Sequence, residues 1–545
     1  MKKTTKAMAT LLSLAVMAPS VIALAGCAES SSDTLVFGLS AAPTTYCPPD
    51  ILSSSTGQVA SQIYDNLVYI AEDYSVEPRG AKSWEWSDDG LTLTFQLNEN
   101  ATWHDGEPVT AADYVFSLQW YTSSETTFSK GSFGKYLTGV DFTTATETDT
   151  DSVGAAVGDN EYELVLSLNN TYTQDVFLYS YLKGFFVLPQ HCFLDEDGNQ
   201  LSDQEIYELT DFWSAPIGSG PYKFVSELTG SSVTLEAHED YHLGTPAFKN
   251  LIMQVVDTDT AVDKILAGDV DILGYTLDVD VANSYKDRDD ITIVTESDAS
   301  TPVHICFNSS RIPLNIRQAV EYAIDKEDVL EKYYGGEGTI IDSGIKPTYP
   351  GSEGEHITYD TDVAAAYVQA AVDAGEWDTD TDVLKIGVVT ETNATIMTYV
   401  SSYLNAIGIR TQVITNEMSV IQQSMMADDG TDDDDYEYGC AVWTISSSYY
   451  PTIISTYALY GEYLFFRFPS GMKDVPLSIY TEFLYATEDR AKELIAEFQE
   501  WEHEYRPVVT LTLYKAYSAT STRVTNVDSF NASNYNHASW KWEKV

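Results

Sequence analysis

The sequence predicts an α/β protein of more than one lobe, and three observations carry that prediction. At about 150 residues per domain, a chain of 545 residues supplies three to four domains' worth of material. Hydrophobic residues make up 44% and charged residues 21%, with 10 Trp, 37 Tyr and 20 Phe, which excludes disordered, collagen-like and low-complexity chains. From Ile316 onward, helical and strand patterns alternate, as they do in a lobe built on a largely parallel sheet.

The first element is not part of the fold. Lys2, Lys3 and Lys6 precede an uncharged, mainly apolar run from Met8 to Leu24, which ends in Leu24-Ala25-Gly26-Cys27. That run looks like a bacterial lipoprotein signal: residues 1–26 are expected to be removed and Cys27 to be acylated, with 27–32 as a polar tether. The mature chain is then expected on the outer face of the cytoplasmic membrane. The best later apolar run, Val176 to Pro189, contains Lys183 and is too short to span a bilayer.

Leu35 to Leu39 reads as the first strand. Leu91, Leu93, Phe95 and Leu97 alternate with polar residues, a period of two that marks a half-buried strand. Asp105-Gly106 is a turn, and Thr110 with Asp113 forms a carboxylate variant of the capping box for a helix running to Tyr121. Later, Ile316, Ala319, Val320, Ala323 and Ile324 line one face of a helix; Asp325 and Asp328 cap the next, which stops at Gly335-Gly336. The helical pattern recurs from Val363 to Ala371 and from Ile396 to Ile407. Strands are predicted at Leu384 to Val389, Arg410 to Ile414 and Tyr438 to Trp443. A final helix carries Ala491, Leu494, Ile495 and Phe498, and Pro507 to Tyr514 is a strand.

Charge narrows the function. The 29 basic and 83 acidic side chains give −54, a field that repels phosphate backbones and anionic headgroups, so nucleic-acid binding and polybasic membrane docking are excluded. His238-Glu239-Asp240-Tyr241-His242 matches the H-E-x-x-H zinc signature, but it follows a strand pattern and precedes Gly244 and Pro246, so the required helix is missing. Asp195, Asp197, Asn199 and Asp203 resemble part of a calcium loop, except that Gln200 stands where glycine is needed and Ile206 where the bidentate glutamate belongs. Asp432 to Asp435 reads as a solvated charge run. No Walker loop, dinucleotide fingerprint or nucleophile elbow occurs, so neither a catalytic constellation, nor a metal, nor a cofactor is expected. Apart from Cys27, the cysteines are Cys47, Cys192, Cys306 and Cys440, which allow two disulfides or four buried thiols.

The chain holds, in order, Asn66-Leu67-Val68, Glu77-Pro78, Ala81-Lys82-Ser83-Trp84-Glu85, Ser87-Asp88-Asp89-Gly90 and the run from Trp103 to Val115. Pro216-Ile217-Gly218-Ser219-Gly220-Pro221-Tyr222, Gly268-Asp269-Val270-Asp271, Arg317-Gln318-Ala319, Ala323-Ile324-Asp325 and Gly408-Ile409 follow. In this order the segments resemble the extracellular solute-binding proteins of the oligopeptide class, family 5, the receptors of peptide-type ABC importers. The resemblance implies a periplasmic-binding-protein fold: two lobes closing on a hinged cleft, with an extra subdomain in the first lobe. The expected division is 33–67, 215–303 and 511–545 for the first lobe's base, 68–214 for its appended subdomain, and 304–510 for the second lobe, with hinges near 303 and 510.

The resemblance also implies a monomeric, non-enzymatic receptor that captures an oligopeptide or similar solute and delivers it to the permease subunits of an ABC transporter. In the family a loop after a Gly-Trp pair lines the cleft, and an aspartate there commonly takes the peptide ammonium. Here Trp443 is preceded by Val442, and Ser446 stands at the aspartate's place, followed by Ser447, Ser448, Tyr449 and Tyr450. Trp443, Ser446, Ser447, Tyr449 and Tyr514 are the expected ligand-binding residues. A disulfide near the second-lobe entrance in some members suggests Cys306 with Cys440. The competing readings are a secreted zinc hydrolase using His238, Glu239 and His242, and an adhesin or chaperone on the same scaffold.

Overall fold

Leu35, Phe37 and Leu39 are fully buried along strand Thr34–Leu39, which lies at the middle of a seven-stranded sheet. The computed structural model describes residues 33–545 apart from 52, 72–74, 124–135, 142–145, 148–152, 173–176, 179–184, 296–300, 348, 350, 353–356, 428–436, 444–451, 462–465 and 528–537. The signal segment, Cys27 and the tether lie outside the described residues, as do Ser446, Ser447, Tyr449 and the run Asp432 to Asp435.

Three sheets organise the molecule. In the first, Thr34–Leu39 pairs in parallel with Asn250–Val255 and Ile272–Leu273, while the hairpin Tyr222–Leu228 and Ser232–Ala237 extends one side. Tyr517–Ser521 runs antiparallel between Ile272–Leu273 and Ile291–Thr295. The second sheet has six strands in the order Gly338–Thr339, Val508–Tyr514, Thr301–Phe307, Cys440–Trp443, Leu384–Val388, Thr411–Thr415. Only its last three strands run parallel to one another; Thr301–Phe307 lies antiparallel to both its neighbours. The expectation of a largely parallel sheet therefore holds for half of it. Helix-strand alternation reports the parallel half, and the two antiparallel strands come from chain segments about 200 residues apart that no local pattern pairs.

The third sheet, four antiparallel strands, contains Thr92–Leu97 beside Ala81–Trp86, joined through the turn at Gly90, whose φ of 68° suits glycine. Leu93, Phe95 and Leu97 face its core. Helix Ala111–Thr122 follows, and Asp113 Oδ2 accepts from the Thr110 backbone N–H (2.9 Å) and hydroxyl (3.1 Å), as the cap signal predicted.

The Cys306–Cys440 disulfide is corrected by register. Cys306 stands opposite Ala441, and Cys440 opposite Phe307. Side chains on adjacent residues of a strand point to opposite faces, so Cys306 packs into one core cluster and Cys440 into the other. All four cysteines among the described residues are free thiols.

His104 shows how the third sheet's connection is locked to the first. Its Nδ1 accepts from the Gly218 N–H at 3.2 Å, and its Nε2 donates to the Gly220 carbonyl at 3.1 Å. A Cβ on Gly218 would stand 1.9 Å from the Ile63 carbonyl oxygen, so the chain passes here only as glycine. Both ring nitrogens are committed in the neutral form, and burial drops the His104 pKa from 6.5 to about 3. Below pH 6.5 the unfolded chain takes up a proton that the folded site refuses, so the stability His104 contributes at neutral pH is lost as pH falls from 6.5 toward 3. The expected slope approaches about 1.4 kcal/mol per pH unit at most. Urea unfolding at a series of pH values should show a shallower acid loss between pH 6.5 and 5 in His104→Gln than in wild type; equal slopes would contradict the assignment.

Candidate functional site: the crevice between two strand edges

The chain crosses between the two large sheets twice: from Ile291–Thr295 to Thr301–Phe307, and back from Val508–Tyr514 through Lys515-Ala516 to Tyr517–Ser521. Strand directions fix what meets there. Leu39, Val255, Leu273 and Thr295 end their strands at one edge of the first sheet, and Val388, Thr415, Trp443 and Tyr514 end theirs at one edge of the second. Both crossings join these edges. Ligands of α/β proteins bind outside the carboxyl ends of the strands, where loops rather than the sheet itself supply side chains.

On the first sheet three loops form this edge. The loop after Leu39 is tied to helix Ser54–Ile63: Ser55 Oγ accepts from the Ala41 N–H at 3.2 Å, and Thr56 Oγ1 from the Thr44 N–H at 3.1 Å. After Val255, Asp257 accepts from the Asp259 N–H at 2.9 Å and starts a short turn into helix Ala261–Ala267. After Leu273, Gly274 lies against the Phe37 ring, where a Cβ would come to 2.1 Å, and its carbonyl accepts from Gln58 Nε2. Tyr275 donates to the Val256 carbonyl at 3.1 Å; burial, then Asp257, pushes its phenol up to about 12, so it remains a neutral donor. The facing lobe contributes the start of helix Glu391–Ala406, capped by Thr390, whose hydroxyl accepts from the Asn393 N–H at 3.1 Å.

A cavity of about 620 Å³ lies between the segments that follow Val255 and Leu273 and the start of helix Glu391–Ala406. Thr258, Asp259, Asp263, Asp278, Asp280 and Tyr285 line it from one side, and Thr390 and Thr392 from the other. Its charged lining residues are four aspartates, with no Lys or Arg among them, so the space favours positive charge and hydrogen-bond donors.

Of the sequence-predicted binding residues that are described, Trp443 and Tyr514 both stand at this edge, half-buried, but on different sides of the sheet. Trp443 is opposite His304 and packs against one core cluster; Tyr514 is opposite Thr301, packs against the other, and stacks on Tyr334 with ring centroids 4.5 Å apart. The four cavity aspartates were not singled out from sequence. They lie in loops that become neighbours only once strand order is known.

The zinc-hydrolase reading fails on geometry. His238 and His242 sit in turns after strand Ser232–Ala237, not on a helix. His238 Nε2 is 3.2 Å from Thr102 Oγ1, whereas His242 Nε2 donates to the Arg79 carbonyl at 3.1 Å and lies 3.5 Å from Asp65. Asp195 accepts from the backbone N–H groups of Asp197 and Asn199 and so serves its own turn.

A family model described as "Bacterial extracellular solute-binding proteins, family 5 Middle" matches residues 75–463, more than half of the chain. The chain belongs to this family. Among curated relatives of this solute-binding protein, heme-binding protein A of Haemophilus influenzae is 29% identical over 336 residues, which is 59% of this chain and 58% of that one. The oligopeptide-binding protein AppA of Bacillus subtilis is 26% identical over 58% of this chain and 55% of its own. The family-5 chain thus spans somewhat more than half the length of these relatives. The substrate-binding protein CtaP of Listeria monocytogenes shares the two-lobed fold at a TM-score of 0.76 and 20% identity, over 94% of this chain and 99% of that one. Among the described residues no helix is long and apolar enough to cross a membrane.

Proposed function

We propose that this chain is a lipid-anchored receptor that captures an oligopeptide or similar polar solute in the crevice between the two strand edges, closes on it, and delivers it to an ABC import permease. The observation that carries the reading is the cavity lined from both sides, next to two chain crossings that join the described strands of the two sheets. A ligand touching both walls binds the closed form more tightly than the open one and so shifts the population toward closure. The receptor works as a monomer and performs no reaction. Strands Thr301–Phe307 and Val508–Tyr514 lie wholly in the second sheet, so the boundaries expected near 303 and 510 move to the two crossings: the lobes are 33–67, 215–295 and 517–545 with the appended 68–214, and 301–514, with the crossings as hinges.

Trp443, Ser446, Ser447, Tyr449 and Tyr514 supply aromatic faces and hydroxyls to the ligand. Because Ser446 offers no charge, a ligand ammonium would need another anion, since an unpaired buried charge is costly. The aspartates of the cavity provide four candidates. Calorimetry with a random peptide mixture, with and without amino-terminal acetylation, reads this directly. Acetylation is expected to change affinity by less than about tenfold, roughly 1.4 kcal/mol, if the amino terminus is not read at all; a larger loss that disappears when the four cavity aspartates are replaced by asparagine would assign the ammonium to them, and a larger loss that persists would overturn the inference from Ser446.

A further inference from the structure

Two segments 86 residues apart converge outside the crevice. Asp105 occupies the tip of a tight loop closed by the bridge between Thr102 and Pro108, where Gly106 adopts a φ of 99°. His191 and Cys192 lie in the short turn of helix Gln190–Phe193, whose entry is pinned by Asp113 Oδ1 accepting from the Gln190 N–H at 3.0 Å. His191 Nε2 is 2.8 Å from Asp105 Oδ2, and one ligand atom from each of Asp105, His191 and Cys192 lies within 4.8 Å of the other two.

We propose that Asp105, His191 and Cys192 form a site for one zinc-class divalent ion, with its fourth position open to water or an external ligand. A tetrahedral ion with bonds of about 2.0–2.3 Å needs its ligand atoms roughly 3.3–3.8 Å apart, so the three side chains have to move by no more than about an ångström. The mixed oxygen, nitrogen and sulfur set selects borderline ions such as zinc or cobalt over calcium and magnesium, which take oxygen alone.

A bound cation would make the Cys192 thiol a thiolate ligand, releasing its proton to solvent. The aspartate and histidine side chains are 33% and 34% exposed, which leaves an entry path. The competing reading is a plain Asp105–His191 clamp between the two segments, with Cys192 a bystander.

Cobalt titration of the chelator-stripped full chain, at high salt to suppress diffuse binding to its acidic surface, separates the two. The expected result is one ion per chain with a near-ultraviolet thiolate-to-cobalt charge-transfer band, absent in Cys192→Ser. Zinc affinity should fall at least about tenfold in His191→Ala and in Cys192→Ser, and stay unchanged in Asp195→Asn. Zinc should also protect Cys192 of the wild-type chain from alkylation, a readout that needs no variant to fold. A cobalt complex without the thiolate band, a band that survives Cys192→Ser, or alkylation of Cys192 unaffected by zinc would each overturn the site and leave only the clamp.

Discussion

Asp65→Ala is expected to lower stability by about 3–5 kcal/mol, because it leaves a buried guanidinium without its counter-ion. Arg79 is wholly buried, stacked over Trp540, and its Nε meets Asp65 Oδ1; Asp65 is itself 2% exposed. The same carboxylate accepts from the Asn66 N–H at 3.1 Å and from the Tyr241 hydroxyl at 3.4 Å, and lies 3.5 Å from His242. One aspartate thus joins the end of helix Ser54–Ile63, the entry to strand Ala81–Trp86 and the turn after Ala237, and its partner Arg79 reaches the C-terminal segment at Trp540. Removing both charges in Asp65→Ala/Arg79→Met should restore a good part of the loss, since the large penalty is the unpaired charge and not the missing attraction. Urea unfolding followed by tryptophan fluorescence checks both variants. A loss under about 1 kcal/mol for the single substitution would mean that water reaches Arg79.

Cys27→Ser is expected to move the protein from the membrane fraction to the soluble one and to leave the signal segment attached. Several acyl chains on one residue hold a protein stably where a single chain gives only marginal attachment, and the described residues contain no spanning helix to replace them. Detergent partitioning of wild type and variant, with mass spectrometry of the amino-terminal peptide, makes the comparison. An unprocessed wild-type signal, with partitioning that the substitution leaves unchanged, would contradict the anchor.

What was legible in the sequence was local chemistry. The Thr110 and Asp113 cap, the Asp325 cap accepting from the Asp328 N–H at 3.0 Å, and the left-handed stop at Gly335 all reflect contacts within a few residues, and all appear as read. The alternation of Leu93, Phe95 and Leu97 is equally local, because burial on one face of a strand repeats every second residue. Misreadings came from pairings that bring distant residues together. That Cys306 and Cys440 face opposite sides follows from a register set between strands more than 130 positions apart, and no spacing rule reports it. The antiparallel half of the second sheet and the four aspartates of the crevice depend on strand order in the same way. The convergence of Asp105 with His191 and Cys192 needs the tight loop at Gly106 and the short helix after Pro189 to be placed against each other.

Solute binding is expected to close the two strand edges on each other. Small-angle scattering tests it most directly, on the chain stripped of co-purified solute by partial unfolding and then returned the solute that native mass spectrometry identifies. Closure gives a smaller radius of gyration that saturates at one solute per chain. Saturable binding with an unchanged radius would contradict closure and favour an adhesin or chaperone on the same scaffold.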